Sequence, residues 1–386
     1  MSENKNQSVT MVGALPPLKG NAYYCMSLSR EMSKHIVTEF ISFKRLYPEF
    51  LYPGGVEDDD PNFRVDQQPM LKIHRIISYF NPITWIRAAW IAQSRVVHLQ
   101  WWSLPLAPIY LVILIGLKLR KKKILFTVHN VVPHEKSSLD RWLTKIVLAF
   151  GDAYIVHSRD NQRNLAETCN IPEANVHVVH MPIHDMYVRS GEDSASIRRR
   201  LGLPEKGKVL LSFGNIRPYK GLDLLIEAMP EVLRAAPDAH LLVAGQNWGK
   251  WDDPYGQLIQ SLEIDRSVTA LLDYIPMSQV ADIFQVADVV VLPYKYFDAQ
   301  SGVGNIALAF EIPMVVTRVG GLADLVDDDR VVCPPEDAQA LAQAIIPTLL
   351  DDQFRSKLKF DASRLKSRYS WSAAISQTMK IYQQLS

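Results

Sequence analysis

The chain has 386 residues, 48% of them hydrophobic and 22% charged, so it is long enough for two globular domains and too apolar for a disordered protein. Its formal net charge at pH 7 is only +1, which gives it no overall attraction to nucleic acid. The three cysteines lie far apart and form no CxxC pair, which argues against a disulfide framework and indicates a reducing compartment.

Short apolar, β-branched runs alternate with amphipathic stretches along the chain. The predicted strands are Val9–Val12, Val37–Phe43, Val96–Leu99, Ile124–His129 and Ala153–His157 in the first half, and Val209–Phe213, His240–Ala244, Val268–Leu272, Val289–Leu292 and Met314–Thr317 in the second. Helices are predicted near 222–236, 277–286, 302–310, 336–350 and 352–368. Such alternation implies right-handed crossovers and parallel sheets. The sequence therefore predicts an α/β protein with two doubly wound, Rossmann-like domains and a cleft between them.

The predicted domain boundary lies where the sequence becomes polar and then restarts on a strand. We expect an N-terminal domain over 1–186, a linker over 187–208, a C-terminal domain over 209–371 and a terminal helix over 372–386. The irregular segment 44–69 is interpreted as a surface excursion, with a mobile loop at the cleft as the alternative.

The apolar run Leu104–Leu117 is followed by the cations Lys118, Arg120, Lys121, Lys122 and Lys123. The run is too short to cross a bilayer, which takes about 20 residues. We interpret it as a buried helix that leads into the strand at 124–128. Its basic end is in addition a candidate contact for anionic lipid headgroups at the inner face of a membrane. Because Val9–Val12 is too short for a secretion signal, we expect a cytoplasmic protein.

The loop after the strand Val209–Phe213 has the sequence features of an anion site. Gly214 is followed by Arg217 and Lys220, just before the helix that starts near Leu222. Ligands of open parallel sheets bind at the carboxyl ends of strands, and free N–H groups at a helix start attract phosphate. Arg217 can form a bidentate hydrogen-bonded pair with two phosphate oxygens, while Lys220 can act as a point charge. The alternative is an ordinary strand-to-helix turn with two solvated cations.

A second helix start in the same half has a similar character. The segment 292–294 ends a strand, and the chain from Asp298 enters a helix, so the backbone amides of 301–303 would point at an anion. Together with Arg217 and Lys220 they would hold one diphosphate from both sides. Asp298 would then accept hydrogen bonds from sugar hydroxyls, although N-terminal capping is its alternative role.

Polar and aromatic residues also follow strands of the first half. His129 ends a predicted strand, where its ring can grip a sugar hydroxyl, although a histidine that satisfies a buried backbone group is the commoner case. His98, Trp101 and Trp102 follow another strand and form a candidate acceptor site, since exposed indoles stack on sugars. Aromatic packing is an equally good interpretation of these three residues.

Three common ligand-binding patterns lose their support. The glycine- and proline-rich loop 13–24 lacks GxGxxG, and the chain has no Walker lysine pattern, which argues against hydride transfer and P-loop hydrolysis. The spacing of His177, His180 and His184 resembles a metal site. However, a strand at 176–179 would turn the first two to opposite faces, so we expect no metal.

These segments, taken in this order, resemble glycosyltransferase family 4, whose members are retaining, nucleotide-sugar-dependent enzymes with the GT-B fold. The resemblance covers nearly the whole chain and rests on 13–22, Thr127–Asn130, Tyr154–Ser158, His180, Gly214–Gly221, Leu292–Tyr294, Gln300–Val303, Pro313–Thr317, Val319–Leu322 and Tyr369–Ser372. It implies a metal-independent hexosyltransferase that uses a UDP- or GDP-sugar as co-substrate without a further cofactor. The acceptor would be a saccharide or lipid-linked saccharide in polysaccharide or glycolipid synthesis. The terminal helix is expected to pack back toward the N-terminal domain.

The resemblance assigns roles residue by residue. Catalytic roles are expected for Lys220, Arg217, His129 and Asp298, and donor-binding roles for Gly13, Gly20, Asn215, Gln300, Ser301, Gly302 and Val303. Two positions depart from the family pattern, because Asn215 replaces an arginine and Ile306 replaces the usual ribose-binding glutamate. We interpret both as a trait of the Gln-Ser-Gly-Val subfamily. A nucleotide-sugar epimerase and a catalytically silent partner subunit are the alternatives.

Overall fold

The computed structural model of the protein describes residues 8–18, 21–46, 65, 68–130, 138–187, 189–247, 252–297 and 300–386. The chain divides into two compact units: Met1–His180 with Trp371–Ser386, and Met181–Ser370. Each unit is built on its own parallel sheet.

The division between the units lies at Met181, ahead of the predicted linker at 187–208. The predicted linker is part of the second unit, because it contains a helix over Ser194–Arg200 whose Arg200 pairs with Asp282 at 2.6 Å. Upstream of it, the Ile183 N–H donates to the Tyr369 carbonyl at 2.9 Å. The boundary expected from polar composition is therefore placed several residues too late.

The first unit contains a seven-stranded sheet in the order β3-β2-β1-β4-β5-β6-β7. Its strands are β1 (Ser8–Gly13), β2 (Val37–Arg45), β3 (Leu71–Ser78), β4 (Val96–Trp101), β5 (Lys123–Val128), β6 (Ala153–Val156) and β7 (Val176–Val178). All of these strand pairs are parallel. Strands β4 and β6 are buried on both faces; β6 is accordingly a continuous apolar run, whereas β4 also buries His98 and Gln100.

Helices pack on this sheet. They are α1 (Ala22–Met32), α2 (Pro82–Ile91), α3 (Ala107–Leu119), α4 (Ser138–Leu148) and α5 (Arg159–Cys169). The predicted buried helix corresponds to α3, in which Ile109, Ile113 and Leu117 are buried. Across the described ranges, no helix combines the length and apolar character that crossing a membrane requires.

The second unit contains a six-stranded sheet in the order β10-β9-β8-β11-β12-β13. Its strands are β8 (Lys208–Phe213), β9 (Ala239–Ala244), β10 (Val268–Leu271), β11 (Val289–Leu292), β12 (Met314–Thr317) and β13 (Val332–Cys333), and their pairings are parallel. Its helices are α6 (Ser194–Arg200), α7 (Leu222–Ala235), α8 (Gln257–Ser261), α9 (Met277–Gln285), α10 (Gly302–Ala309), α11 (Ala338–Leu350) and α12 (Asp352–Arg368). The two doubly wound sheets confirm the predicted fold class.

The last helix, α13 (Trp371–Leu385), belongs to the first unit although it follows the second in the sequence. Its Trp371 ring lies 5.6 Å from the ring of Tyr24. Its Tyr382 hydroxyl donates to Nδ1 of His98 at 2.7 Å, inside the core. This buried hydrogen bond joins α13 to the central strand β4.

We expect Tyr382→Phe to lower the free energy of unfolding by about 1–3 kcal/mol, because it leaves a buried ring nitrogen without its partner. Burial lowers the pKa of His98 to about 3, so the ring stays neutral at physiological pH. Chemical denaturation followed by circular dichroism measures the loss. Tyr296→Phe is the matched control, since Tyr296 is 62% exposed, and equal losses in the two variants would contradict this account.

Candidate active site

Two glycines shape the loop between β8 and α7 in the second unit. Gly214 has φ 91° and Gly221 has φ 67°, and the short 3₁₀ turn Pro218–Lys220 lies between them. A methyl group on Gly214 would lie 2.8 Å from Nζ of Lys220, and one on Gly221 would collide with the carbonyl oxygen of Pro293. The loop therefore folds tightly against the end of β11 and brings the lysine back over the end of its own strand.

Lys220 is held in an environment that disfavours its charge. Its ammonium group lies 3.4 Å from the Phe213 carbonyl oxygen and 5.8 Å from the centre of the Tyr294 ring. Burial, together with the neighbouring charge of Arg217, lowers the pKa of Lys220 to about 8. An anion bound beside this ammonium would offset both effects, so the site favours a negatively charged ligand.

The start of α10 lies beside this lysine. Ser301 caps the helix by accepting a hydrogen bond from the Gly304 N–H at 3.3 Å. A methyl group on Gly214 would lie 3.4 Å from a γ-carbon of Val303, so the first turn of α10 and the β8–α7 loop meet at the same point. Lys220 and the first turn of α10 therefore lie close together, and each contributes positive potential there.

The side-chain amide of Gln300 makes one hydrogen bond within the protein and has its NH₂ group left without a partner among the described residues. Its Oε1 accepts a hydrogen bond from the Met181 N–H at 2.6 Å, and the residue is 3% exposed. Its Nε2 has no hydrogen-bond partner among the described residues. Oε1 thus fixes the start of α10 to the first residue of the second unit, while Nε2 is a buried donor without a partner in the described ranges.

Aromatic residues that sequence reasoning missed support the lysine loop. The ring of Tyr219 stacks on Phe297 with centroids 6.1 Å apart, and its carbonyl accepts the Lys295 N–H at 2.8 Å. Lys295 in turn pairs with Asp223 of α7 at 2.5 Å. The only sign of these contacts in the sequence is that Tyr and Phe recur on both sides of the site. Periodicity alone does not show which of these rings touch each other.

The two departures from the family pattern lie in different surroundings. Asn215 and Arg217 are both exposed at the carboxyl end of β8, so a ligand can reach either one. Ile306 is 4% exposed and packs in the core between α10 and the sheet. The position of the missing carboxylate is therefore filled by a core side chain.

The His184 ring lies beside the first residue of α10. His184 was considered only as a metal ligand in the sequence analysis. Its ring comes within 3.4 Å of where a methyl group on Gly302 would be. Burial lowers its pKa to about 4, so the ring is neutral at physiological pH. Within the described ranges, no group of three or more histidine, cysteine or carboxylate side chains could hold a metal ion.

His129 of the first unit belongs to a buried chain of polar groups. Its Nε2 lies 2.9 Å from the Gln100 side-chain amide, and its Nδ1 lies 3.3 Å from Nε2 of His157. Nδ1 of His157 lies 2.9 Å from the Val179 carbonyl oxygen. Burial lowers the pKa of His157 to about 4 and, with the neighbouring histidines, holds the pKa of His129 well below its usual range.

These contacts determine where the protons are. The Val179 carbonyl can only accept, so the proton of neutral His157 is on Nδ1, and its Nε2 accepts from Nδ1–H of His129. Nε2 of His129 then carries no proton, and a flip of the Gln100 amide, whose Oε1 the structure places 2.9 Å from this nitrogen, supplies it with an N–H donor. Both ring nitrogens are thus occupied within the protein. A direct contact from His129 to a sugar would have to replace one of these bonds.

The candidate acceptor residues are less accessible than expected. His98 is fully buried, with its Nε2 2.7 Å from the hydroxyl of Thr127, and Trp101 is 2% exposed, with its ring 5.8 Å from that of Tyr110. Of the two interpretations, internal packing applies to these two residues, because β4 extends to Trp101 and is buried on both faces. Trp102 is half-buried and lies beyond the strand.

The remaining predicted residues divide into two groups. Gly13 ends β1, where a methyl group would come within 3.0 Å of both the Cys25 sulfur and the Gln100 side chain, so it has a packing role. Gly20 and Asp298 lie outside the described residues.

We expect binding of a nucleoside diphosphate to weaken as the pH rises through about 8. Below that value Lys220 is protonated and attracts the diphosphate; above it, deprotonation removes this charge and affinity falls by at most about tenfold per pH unit. Calorimetric titrations between about pH 7 and pH 9.5 would measure the change. Lys220→Arg stays charged throughout, so an equal pH dependence in that variant would contradict the assignment.

Two Rossmann-like units, each on its own parallel sheet, are the architecture of the GT-B glycosyltransferase fold. The model "Glycosyltransferase Family 4" matches residues 22–185, and the model "Glycosyl transferases group 1" matches residues 193–364. The two matches together cover most of both units. The chain belongs to glycosyltransferase family 4.

Several proteins of similar sequence are named as glycosyltransferases. A D-inositol 3-phosphate glycosyltransferase from Corynebacterium aurimucosum is 31% identical over 239 residues, which are 60% of this chain and 56% of that protein. A second, from a Nocardioides species, is 28% identical over 250 residues, which are 61% of this chain and 54% of that protein. The chain spans about half the length of the curated relatives that it matches.

Solved structures show the same fold at low identity. HepE from Anabaena, in complex with UDP and glucose, superposes with a TM-score of 0.73 at 15% identity over 98% of this chain and 100% of that one. Sucrose-phosphate synthase from Thermosynechococcus elongatus superposes with a TM-score of 0.70 at 20% identity over 98% and 99%. These likenesses support the GT-B architecture.

Proposed function

We propose that the protein transfers a hexose from a nucleotide diphosphate sugar to a saccharide or a lipid-linked saccharide, with retention of the anomeric configuration. The observation that carries this proposal is the meeting of Lys220 with the first turn of α10 at Gly214. A half-buried ammonium and free helix amides at one point form a site for a diphosphate. The Anabaena HepE structures with UDP and with UDP-glucose support this class of donor.

Stabilisation of the leaving group is the main chemical task in this proposal. When the bond between the sugar and the diphosphate breaks, negative charge develops on the leaving phosphate oxygen. Lys220, Arg217 and the amides of Ser301, Gly302 and Val303 neutralise this charge without reorganising, so no metal ion is required. Asn215 and the vacant Nε2 of Gln300 serve as further donors to the nucleotide.

The acceptor attacks on the side from which the diphosphate departs. Its hydroxyl oxygen forms the new bond to the anomeric carbon, and its proton passes to an oxygen of the departing diphosphate. No protein base is then needed, and His129 and Asp298 act by orienting the sugar. Both ring nitrogens of His129 are hydrogen-bonded within the protein. The ring therefore presents a rigid, uncharged face to the sugar, and it hydrogen-bonds to the sugar only if the ligand displaces Gln100.

A lipid-linked acceptor, a role in polysaccharide or glycolipid synthesis and a cytoplasmic location at the inner membrane face complete the proposal. They rest on the apolar and basic surface near the end of α3 and on the family membership. Several relatives are named as D-inositol 3-phosphate glycosyltransferases, and a starch synthase with this fold binds ADP. UDP, GDP and ADP donors are therefore all included in the test.

The first experiment is calorimetric binding of UDP, GDP and ADP without metal, followed by incubation of the matching nucleotide sugar with saccharide and lipid-linked acceptors. Selective binding of one nucleotide, and a product whose anomeric configuration by NMR equals that of the donor, are the expected results. Free epimerised sugar without transfer would instead indicate an epimerase. A protein that binds no nucleotide would be the silent partner subunit.

A further inference from the structure

Among the described residues, several exposed apolar side chains lie together on α2 and on Phe80, two residues before the helix begins. Phe80, Ile83, Ile86 and Trp90 are 70%, 75%, 57% and 69% exposed. Ile83, Ile86 and Trp90 are spaced three and four residues apart, so they lie on one side of the helix. The alanines at 88–89 face the core instead. In α2 the large apolar side chains therefore face solvent, and the small alanines face the core, which is the reverse of an ordinary surface helix.

Helix α3 extends this surface. Ile115 is 51% exposed and Leu119 is 80% exposed. The two helices pack closely, because a methyl group on Gly116 would lie only 2.7 Å from Cβ of Ala89. We call the six exposed side chains the apolar face; they are Phe80, Ile83, Ile86, Trp90, Ile115 and Leu119.

The segment that carries the apolar face is rich in cations. Residues 68–130 contain nine lysines and arginines and no aspartate or glutamate, although the whole chain has a net charge of only +1. Arg87 is exposed on α2 between Ile83 and Trp90, and Lys121 is exposed at the end of α3. The Arg120 guanidinium lies 5.5 Å from the centre of the Trp90 ring, so cationic and apolar groups are in direct contact.

Part of the predicted basic segment is committed to internal contacts. Lys118 and Lys123 pair with Asp152 at 2.8 and 3.4 Å. Lys122 donates to the Gln93 carbonyl at 2.6 Å.

Arg120 is likewise used to hold α2 against α3. Its guanidinium donates to the carbonyls of Ala89, Trp90 and Ala92 at 2.7, 2.7 and 2.9 Å. These carbonyls belong to the last turn of α2 and its C-cap, where a cation also balances the helix dipole. The apolar face is therefore a fixed surface rather than a pair of loosely joined helices.

We propose that the apolar face docks on an anionic lipid bilayer, with α2 lying in the plane of the membrane interface. Trp and Phe are the residues that prefer this interface, and cations beside them meet acidic headgroups. The exposed cations Arg87 and Lys121, in a segment (68–130) without aspartate or glutamate, are what favours an anionic lipid surface over a neutral apolar partner. Stable peripheral binding requires both an apolar and an electrostatic signal, and both are present here.

This docking surface would give the enzyme access to a lipid-linked acceptor, and in that respect it rests on the proposed function. Its test needs neither donor nor acceptor. Failure of nucleotide binding and failure of vesicle binding are therefore separate results.

The experiment is co-sedimentation of the full chain with vesicles of phosphatidylcholine alone and of phosphatidylcholine mixed equally with phosphatidylglycerol. We expect binding to the mixed vesicles that weakens with salt. The double variant Ile83→Ser/Trp90→Ser should reduce the partition coefficient by at least about tenfold, because it removes the largest inserted groups. Arg87→Gln/Lys121→Gln should reduce it by about tenfold as well and abolish most of the salt dependence.

A matched control lies on α12 of the second unit. Lys359 and Phe360 are adjacent and exposed, with Phe360 at 69%, so Lys359→Gln/Phe360→Ser removes one cation and one apolar group of similar exposure. It should leave vesicle binding unchanged. All variants should retain the circular dichroism spectrum of the parent, since every substituted side chain is exposed.

Three outcomes would overturn the proposal. Equal binding to neutral and acidic vesicles would remove the electrostatic part, and equal loss in the control and test variants would remove the assignment to the apolar face. Concentration-dependent dimerisation that Ile83→Ser/Trp90→Ser abolishes, without vesicle binding by the parent, would make this face a contact between two copies of the chain.

Discussion

Lys220→Ala is expected to raise the dissociation constant of the bound nucleoside diphosphate about 10–100-fold and to lower the transfer rate about 10²–10³-fold. The ammonium lies at the convergence of the β8–α7 loop and α10, where no other lysine or arginine of these two segments is half-buried. The loss in rate should exceed the loss in binding, because the charge on the diphosphate grows as the sugar leaves. Calorimetry and initial rates measure the two effects separately.

Lys206→Ala is the matched control. Lys206 is exposed just before β8, at the amino end of the strand whose carboxyl end carries the site. Its removal changes the net charge of the protein by the same amount and should leave both quantities within about twofold. A similar loss in the two variants would show that net charge, and not the local site, attracts the nucleotide.

Gly221→Ala is expected to lower the free energy of unfolding by about 3 kcal/mol or more and to abolish nucleotide binding. Two effects combine: the left-handed backbone at φ 67° strains any β-carbon, and the new methyl group collides with the Pro293 carbonyl oxygen. That carbonyl belongs to the chain leaving β11, so relief of the collision displaces the lysine loop. Chemical denaturation and nucleotide calorimetry are the two measurements.

Gly202→Ala separates the two effects. Gly202 has φ 69°, nearly the same backbone, but an added methyl group would have no neighbour within 4 Å. It should cost about 1–2 kcal/mol from backbone strain alone and leave nucleotide binding intact. Equal destabilisation of the two variants would mean that the Pro293 carbonyl moves away from the new methyl group without lowering the free energy of unfolding.

The fold was largely predictable because its strands are either buried on both faces or flanked by clear turn residues. The eleven predicted strands, including the one at 176–179, are all present, and their ends agree within one or two residues. Strand β3, over Leu71–Ser78, was missed because it lies at the edge of the sheet, where Lys72 and Arg75 are exposed and interrupt the apolar run. Strand β13 has two residues, too few for any periodicity.

The candidate site was predictable only where backbone chemistry determines it. Glycines and cations at a strand end are visible in the sequence, and Lys220 and the start of α10 do converge. Side-chain contacts across different strands are not visible in this way. The sequence gives no indication that Gln100 and His157 occupy both nitrogens of His129, or that β4 extends far enough to bury Trp101.

The hydrogen bond between Tyr382 and His98 has a consequence for biosynthesis. Tyr382 is translated only after the whole second unit, whereas His98 precedes that unit, yet both lie in the same core. A nascent chain that has emerged as far as the second unit still lacks α13, so its first unit exposes the surface that this helix covers. The first unit therefore completes its core only after α13 has been translated, and a ribosome stalled before α13 would carry a first unit that remains sensitive to protease.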